Sequence, residues 1–303
     1  MTRSAARSLR TLAICLVAAA SAISSPSTPA CADPGLWAAK APNATVYLFG
    51  TVHLLRKEQA WESPAVVAAL ARSQELWLEV PNPDNAKEAR GLLRQFGFDS
   101  AHPLSSKLPH DAVMHLDAAA RSLGIAEGET AFEPMRPWLA AVVLGNAFVV
   151  RAGYDPASGV EASLFREAVA AGKSVRGFES LEQQTRFFAD MKPELELQFL
   201  QNELQDFDQG PRKLDRLVEA WRRGDDAAIT QMLVEEIKGP YPALYRILLV
   251  DRNQAWADTI AAMLKGPGVR FVAVGAAHLA GPDSVQAALE RRAVHVERIT
   301  SNR

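Results

Sequence analysis

The sequence predicts an α/β fold: a small central mixed sheet flanked by helices, with a largely helical insertion at about residues 85–170. Three observations carry that expectation. Apolar runs of strand length alternate with segments whose apolar residues recur three and four positions apart, the mark of a layered sheet covered by helices. Most strand-like runs lie towards the two ends, while the middle has a helical period. No stretch rich in Gly, Ser or Pro divides the chain into independent domains, and low-complexity segments are absent.

The first 32 residues stand apart. Arg3, Arg7 and Arg10 make a basic start, Leu12 to Ile23 is apolar, and Ala30-Cys31-Ala32 is a small-x-small cleavage site, the three zones of a secretory signal. The apolar run falls well short of the ~20 residues that a spanning helix needs. Cleavage after Ala32 and a periplasmic or secreted product are therefore expected. Cys31 has Thr28 three positions before it and Cys15 sits inside the apolar run, so neither has the setting of a lipid attachment site. Cleavage would remove both cysteines, leaving a disulfide-free chain that relies on an ordinary core. It would also remove three arginines and no acid, taking the formal charge from −2 to −5. No basic footprint for nucleic acid results.

The remaining chain, 33–303, opens with "GLWAAKAPNATVYLFG", two strands around a Pro42-Asn43 turn. Ser63 caps a helix with Pro64 in its first position, and "ELWLEV" is a strand ending at Pro81-Asn82-Pro83. From Asn85 to Phe207 the pattern is mainly helical. The exception is "KSVRGFES", a short strand leading to a helix that Ser180 and Gln183 start as a capping box. "WLAAVVLGNAFVV", thirteen apolar residues, is too short to span a membrane and is expected as a buried helix. Helix continues from Pro211 to about Leu264, broken at Gly224 and Gly239-Pro240. Strand "VRFVAVGAAH", helix "DSVQAALERR" and strand "VHVERI" close the chain.

Ligands of open α/β sheets bind beyond the carboxyl ends of the strands, so the residues just after each strand are the ones to inspect. They are His53 after "VYLFG", Glu79 after "ELWL", Glu179 after "SVRGF" and His278 after "RFVAVG". The two histidines share a setting, strand then Gly-x-x-His, with Gly50 and Gly275 allowing a tight turn and close approach. Two neutral imidazoles with a carboxylate suit a divalent metal that activates water or polarises a carbonyl. General acid and base work without metal would use the same residues. Glu179 alone is a weaker candidate, because an acid before the Ser180 cap is favourable for helical reasons. His102, His110, His115 and His295 lack the pattern and are expected to be surface or structural residues.

Arg252 falls on a helical stripe with Leu244, Leu248, Trp256 and Ile260. An inward arginine needs an acid or an anionic ligand; Glu79 or a substrate carbonyl would serve, with Asn253 beside it. The alternative is that Arg252 snorkels to the surface.

The segments "LFGTVHL", "LWLEV", "DRNQAWADTI" and "VAVGAAHLAG", together with "GVEASLFREAVAAGKSVRGFESLEQQ", resemble the TraB/GumN family, relatives of the Tiki proteins, from about Leu36 to Ile299. That resemblance implies an α/β core of two related halves, each with one Gly-x-x-His, and a metal-dependent peptidase. His53, His278 and Glu79 would hold Mn²⁺, Co²⁺ or Zn²⁺, with Gly50 and Gly275 lining the cofactor site. Glu79, Arg252 and Asn253 would be the catalytic residues, and Glu161 fits a family position for an acid. A peptide or protein substrate follows. In one respect the resemblance departs: the C-terminal membrane anchor of Tiki is not expected here. The wider superfamily also implies alternatives: a haem, metal or peptide-binding protein without turnover, or an accessory factor in polysaccharide export.

Overall fold

The computed structural model describes residues 33–300 except 58, 84, 208 and 209, and of residues 156, 206, 210 and 211 only the backbone. The expected export signal, with both cysteines, lies outside the described residues. Six strands form one mixed sheet: β1 (Leu36–Ala41), β2 (Ala44–Thr51), β3 (Glu75–Leu78), β4 (Ser174–Gly177), β5 (Gly268–Gly275) and β6 (Val296–Ile299), in the order β4-β3-β5-β2-β1-β6. Strands β4, β3, β5 and β2 are mutually parallel, while β1 runs antiparallel to both β2 and β6.

The hairpin turns at Pro42-Asn43, since Ala41 pairs with Ala44. Proline has no N–H to give a ladder and presets φ for the turn. The two Gly-x-x-His strands, β2 and β5, lie side by side at the centre, paired from Ala44↔Gly268 to Thr51↔Gly275. Alternation of side chains across the pleat gives each strand two apolar faces. Phe49, Phe271 and Ala273 enter one core with Trp61, Leu70 and Leu164. Val46, Leu48, Val272 and Val274 enter a second core with Trp256, Ile260 and Leu289. A strand buried on both faces reads as a continuous apolar run, as "FVAV" does.

Helix α1 (Pro64–Arg72) has the expected cap, Ser63 Oγ accepting from Val66 N at 3.3 Å. Between β3 and β4 run α2 (Ala86–Phe96), α3 (His110–Ser122), α4 (Pro137–Arg151) and α5 (Val160–Ala170). Leu116, Phe132, Leu144 and Leu200 belong to a separate helical core. The apolar run expected as a buried helix is α4, whose first half is buried while Val150 near its end is 54% exposed. Among the described residues no helix is long and apolar enough to cross a membrane.

After β4, α6 (Leu181–Ala189) carries the capping box of Ser180 and Gln183. It is followed by α7 (Pro193–Asp206) and α8 (Gly210–Arg222), then by the single turns α9 (Asp226–Ile229), α10 (Glu236–Lys238) and α11 (Pro242–Tyr245). Two π-helical segments, Thr230–Glu235 and Arg246–Val250, interrupt this run. The second bears on the stripe through Arg252. The extra residue of a π turn makes Leu249 the buried leucine there and leaves Leu248 only partly buried. Then come α12 (Asp251–Met263) and α13 (Val285–Glu290).

Candidate functional site

The carboxyl ends of β2, β3, β4 and β5 face the same rim of the sheet, because those four strands are parallel. Glycine 275 sits at the centre of what collects there. A Cβ built on it would lie 3.2 Å from Glu79 Oε1, 3.6 Å from His278 Cδ2 and 3.8 Å from His53 Nε2. The two distant histidines and the acid therefore surround one point.

His278 lies in the 3₁₀ turn Ala276–Leu279 and is 4% exposed. Its Nδ1 is 2.6 Å from Asn253 Oδ1, and Asn253 Nδ2 donates to Asp283 O at 2.8 Å. Only the NH₂ of Asn253 can donate to a carbonyl, so its oxygen faces the imidazole and His278 carries its proton on Nδ1. The Nε2 lone pair then accepts from Arg252 Nη1 at 3.1 Å. Burial pushes the His278 pKa down to about 3 against the pull of Glu79, and the ring is neutral. Trp256 covers it, with ring centroids 4.4 Å apart.

His53 is held the same way from the other side. Its Nδ1 lies 2.9 Å from Glu161 Oε1 on α5, and the Thr51 hydroxyl donates to that same oxygen. The ring is 68% exposed while Glu161 is 10% exposed. The nearby Glu161 carboxylate raises the His53 pKa to about 9.

Glu79 follows β3 and is 9% exposed. Its Oε1 accepts from Gly275 N at 2.8 Å and lies 3.7 Å from His278 Nε2. Its Oε2 accepts from Arg252 Nη2 at 2.7 Å and Gln184 Nε2 at 2.9 Å. Burial alone would raise its pKa, but His278, the Arg252 guanidinium, His53 and the Gly275 N–H together hold it far below the usual carboxylate range.

Arg252, 10% exposed, points inward. Besides Glu79 and His278 it donates to Leu248 O at 3.0 Å and twice to Glu179, from Nε and Nη2, both at 2.9 Å. A guanidinium has five N–H donors, and all five have partners. Glu179 also accepts from Trp256 Nε1 at 3.0 Å and Gln184 Nε2 at 3.1 Å.

Of the residues singled out in the sequence, His53, Glu79, Arg252, Asn253, Gly275 and His278 meet here. Gly50 does not. A Cβ on Gly50 would meet Ala276 Cα at 3.3 Å, and its carbonyl accepts from Trp221 Nε1 at 2.7 Å, so it serves the packing of β2 beneath the turn. Glu179 is a central member of the cluster, whereas its place before a cap suggested a helical role. Gln184 and Thr51 carry no sequence signal of their own. Glu161 was legible only by resemblance. His102, His110, His115 and His295 are exposed, the first of the two places expected for them.

Each imidazole is fixed through Nδ1 by an acceptor, the usual support for a ring that binds metal through its other nitrogen. The 3.7 Å between His278 Nε2 and Glu79 Oε1 is within the span of one ion bonded at about 2.0–2.2 Å to each. Among the described residues no three His, Cys, Asp or Glu are placed to hold a metal ion as they stand, and Arg252 Nη1 occupies the Nε2 lone pair of His278. The donors fit in kind, provided Arg252 gives up that one hydrogen bond and His53, its pKa raised by Glu161, gives up its proton.

Residues 35–298 match the TraB/PrgY/gumN family. An uncharacterized protein of Treponema pallidum (strain Nichols) is 21% identical over 276 residues, covering 84% of this chain and 80% of its own. The uncharacterized protein YbaP of Escherichia coli (strain K12) is 23% identical over 243 residues, covering 79% of this chain and 85% of its own. YbaP of Shigella flexneri matches to the same extent. No solved structure matches the chain.

Proposed function

The chain belongs to the TraB/PrgY/gumN family, and from that premise we propose that it is an exported, metal-dependent hydrolase acting on peptide bonds. The observation that carries this reading is the meeting of His53, His278 and Glu79 around Gly275, with both Nδ1 atoms already held. When bound, a divalent ion such as Mn²⁺, Co²⁺ or Zn²⁺ would supply activation of water and polarisation of the scissile carbonyl. His53, His278 and Glu79 are the residues to hold it. Imidazole and carboxylate ligands suit several first-row metals.

Each residue has a task that its surroundings support. Glu79 is held ionised by Arg252 and the Gly275 N–H, which suits gripping a cation better than taking a proton. Glu161 fixes the orientation of His53, and Asn253 fixes both the orientation and the tautomer of His278. Arg252 Nη1, now shared between Leu248 O and His278 Nε2, is a charged donor at the rim that can turn to a developing oxyanion. Trp256 covers the inner face of the site and excludes water there.

A second reading keeps the hydrolase and dispenses with the metal. Its support is the exposed His53 ring oriented by Glu161, whose carboxylate keeps the imidazole protonated at neutral pH, an arrangement that suits a general acid, while Arg252 stays on His278.

Elemental analysis and calorimetry with Mn²⁺, run beside peptide-library cleavage, separate the two. Under the first reading His53→Ala and His278→Ala each lose bound metal and cleavage while keeping the wild-type circular dichroism. If both bind Mn²⁺ as tightly as wild type, the metal site is elsewhere. Cleavage that survives chelation but not His53→Ala would establish the second.

A further inference from the structure

Beyond the ionic cluster, on the side of α12 that leads back to the second π segment, lies a cavity of about 300 Å³. Leu144, Phe148, Phe199, Leu217, Leu233 and Leu248 line it, drawn from α4, α7, α8 and both π segments. Its volume is at the lower end of the roughly 300–1,000 Å³ typical of ligand pockets. Leu248 joins it to the site. Leu248 lines the cavity, and its carbonyl accepts from Arg252 Nη1, the nitrogen that also touches His278. Cavity and site thus share one residue, Leu248, whose backbone carbonyl is the link between them.

Four polar members of the lining answer one another, and Glu203 adds a carboxylate to it. Lys213 pairs with Glu236 at 2.5 Å, and the Tyr241 hydroxyl donates to Asn202 Oδ1 at 3.1 Å. What faces an occupant is mostly hydrocarbon and aromatic edge, including the Phe148–Phe207 pair, 5.4 Å apart and edge to face. Such a lining favours an uncharged, bulky group that buries apolar area and stacks at ring edges. The two π segments set the wall, and π turns recur at functional sites because the extra residue redirects side chains.

We propose that this cavity is the specificity pocket for a large apolar side chain of the peptide substrate, next to the bond at Arg252. The assignment rests on the peptide-hydrolase reading for its substrate class, but its test is a binding measurement. Gly145 on α4 lines the cavity, and a Cβ there would meet only Glu203 Oε2, at 3.4 Å. Gly145→Leu therefore fills the space without a backbone clash and gains helix propensity. Met232→Trp fills it from another wall, and Gly145→Ala leaves it open.

N-acetyl-phenylalanine amide and N-acetyl-alanine amide are titrated into the full chain by NMR. Wild type and Gly145→Ala are expected to bind the phenylalanine probe about tenfold tighter than the alanine probe. Gly145→Leu and Met232→Trp are expected to lose that preference. Equal binding of the two probes to wild type, or a preference that survives both filling variants, overturns the proposal. If the preference appears and both filling variants abolish it while no peptide is cleaved with Mn²⁺ or Co²⁺ present, the pocket stands and the hydrolase reading fails.

Discussion

Removing Glu179 distinguishes a buried ionic keystone from a helix-start acid, because the two roles differ several-fold in energy. Glu179 and Arg252 are 8% and 10% exposed and joined by two hydrogen bonds of 2.9 Å, with Trp256 Nε1 and Gln184 Nε2 also donating to Glu179. Glu179→Ala leaves the guanidinium with Glu79 as its one carboxylate and the Trp256 indole N–H without its acceptor. Breaking a buried pair by removing one partner costs about 3–5 kcal/mol. Glu79 still balances the charge, so the lower end, about 3 kcal/mol, is expected. An acid that merely favours a helix N-terminus is worth about 0.3–1 kcal/mol.

Urea unfolding followed by tryptophan fluorescence reads the difference. With a slope of about 3 kcal/mol/M, the midpoint should fall by about 1 M and the slope stay unchanged. The double variant Glu179→Ala/Arg252→Met adds the decisive term: because it removes both charges, its loss should be smaller than the sum of the single losses by about 1–3 kcal/mol. A loss below about 1 kcal/mol for Glu179→Ala, or strict additivity in the cycle, would refute the coupling.

Gly275→Ala puts a methyl 3.2 Å from Glu79 Oε1 and between the two imidazoles; it should abolish Mn²⁺ binding at an overpacking cost of about 1–3 kcal/mol, whereas Gly50→Ala, pressing on the Ala276 backbone, should destabilise the fold and leave Mn²⁺ binding in place. Calorimetry and urea unfolding on the pair check this contrast. The Asp99 carboxyl, which accepts hydrogen bonds from Lys107 and His102, is held down at about 2. A depressed carboxylate stabilises the fold above its unfolded value near 3.8 and loses that contribution as pH falls through about 2. NMR titration should find the Asp99 midpoint near 2 in wild type and higher in Lys107→Ala; an unmoved midpoint would show that Lys107 is not its cause.

Elements whose signals are local could be read in advance. Pro42-Asn43, the Ser63 cap, the Ser180–Gln183 box and the doubly apolar "FVAV" each declare a turn, a helix start or a central strand within a few residues. The Gly-x-x-His pair was legible because a strand end is where side chains of an open sheet gather. Arg252 was legible as a charge in an apolar stripe that required an acid. Partners set by tertiary contact were not. Glu161 meets Thr51 across 110 positions, and Gln184 meets Glu79 across 105, with no spacing rule to join them. Glu179 was masked by a sound helical explanation of the same residue. The π segments left no trace in a pattern that a regular helix fits nearly as well, so the place of Leu248 in the cavity wall was not foreseen.

Strands β2 and β5 are immediate neighbours, laddered from end to end just below the two motifs. Each histidine stands only two or three residues beyond the end of its strand, so the distance between their anchor points is inherited from the spacing of adjacent strands, about 4.7–4.9 Å. What remains adjustable is the pair of short turns above the ladder, each tethered at the far side of its ring by Glu161 or by Asn253.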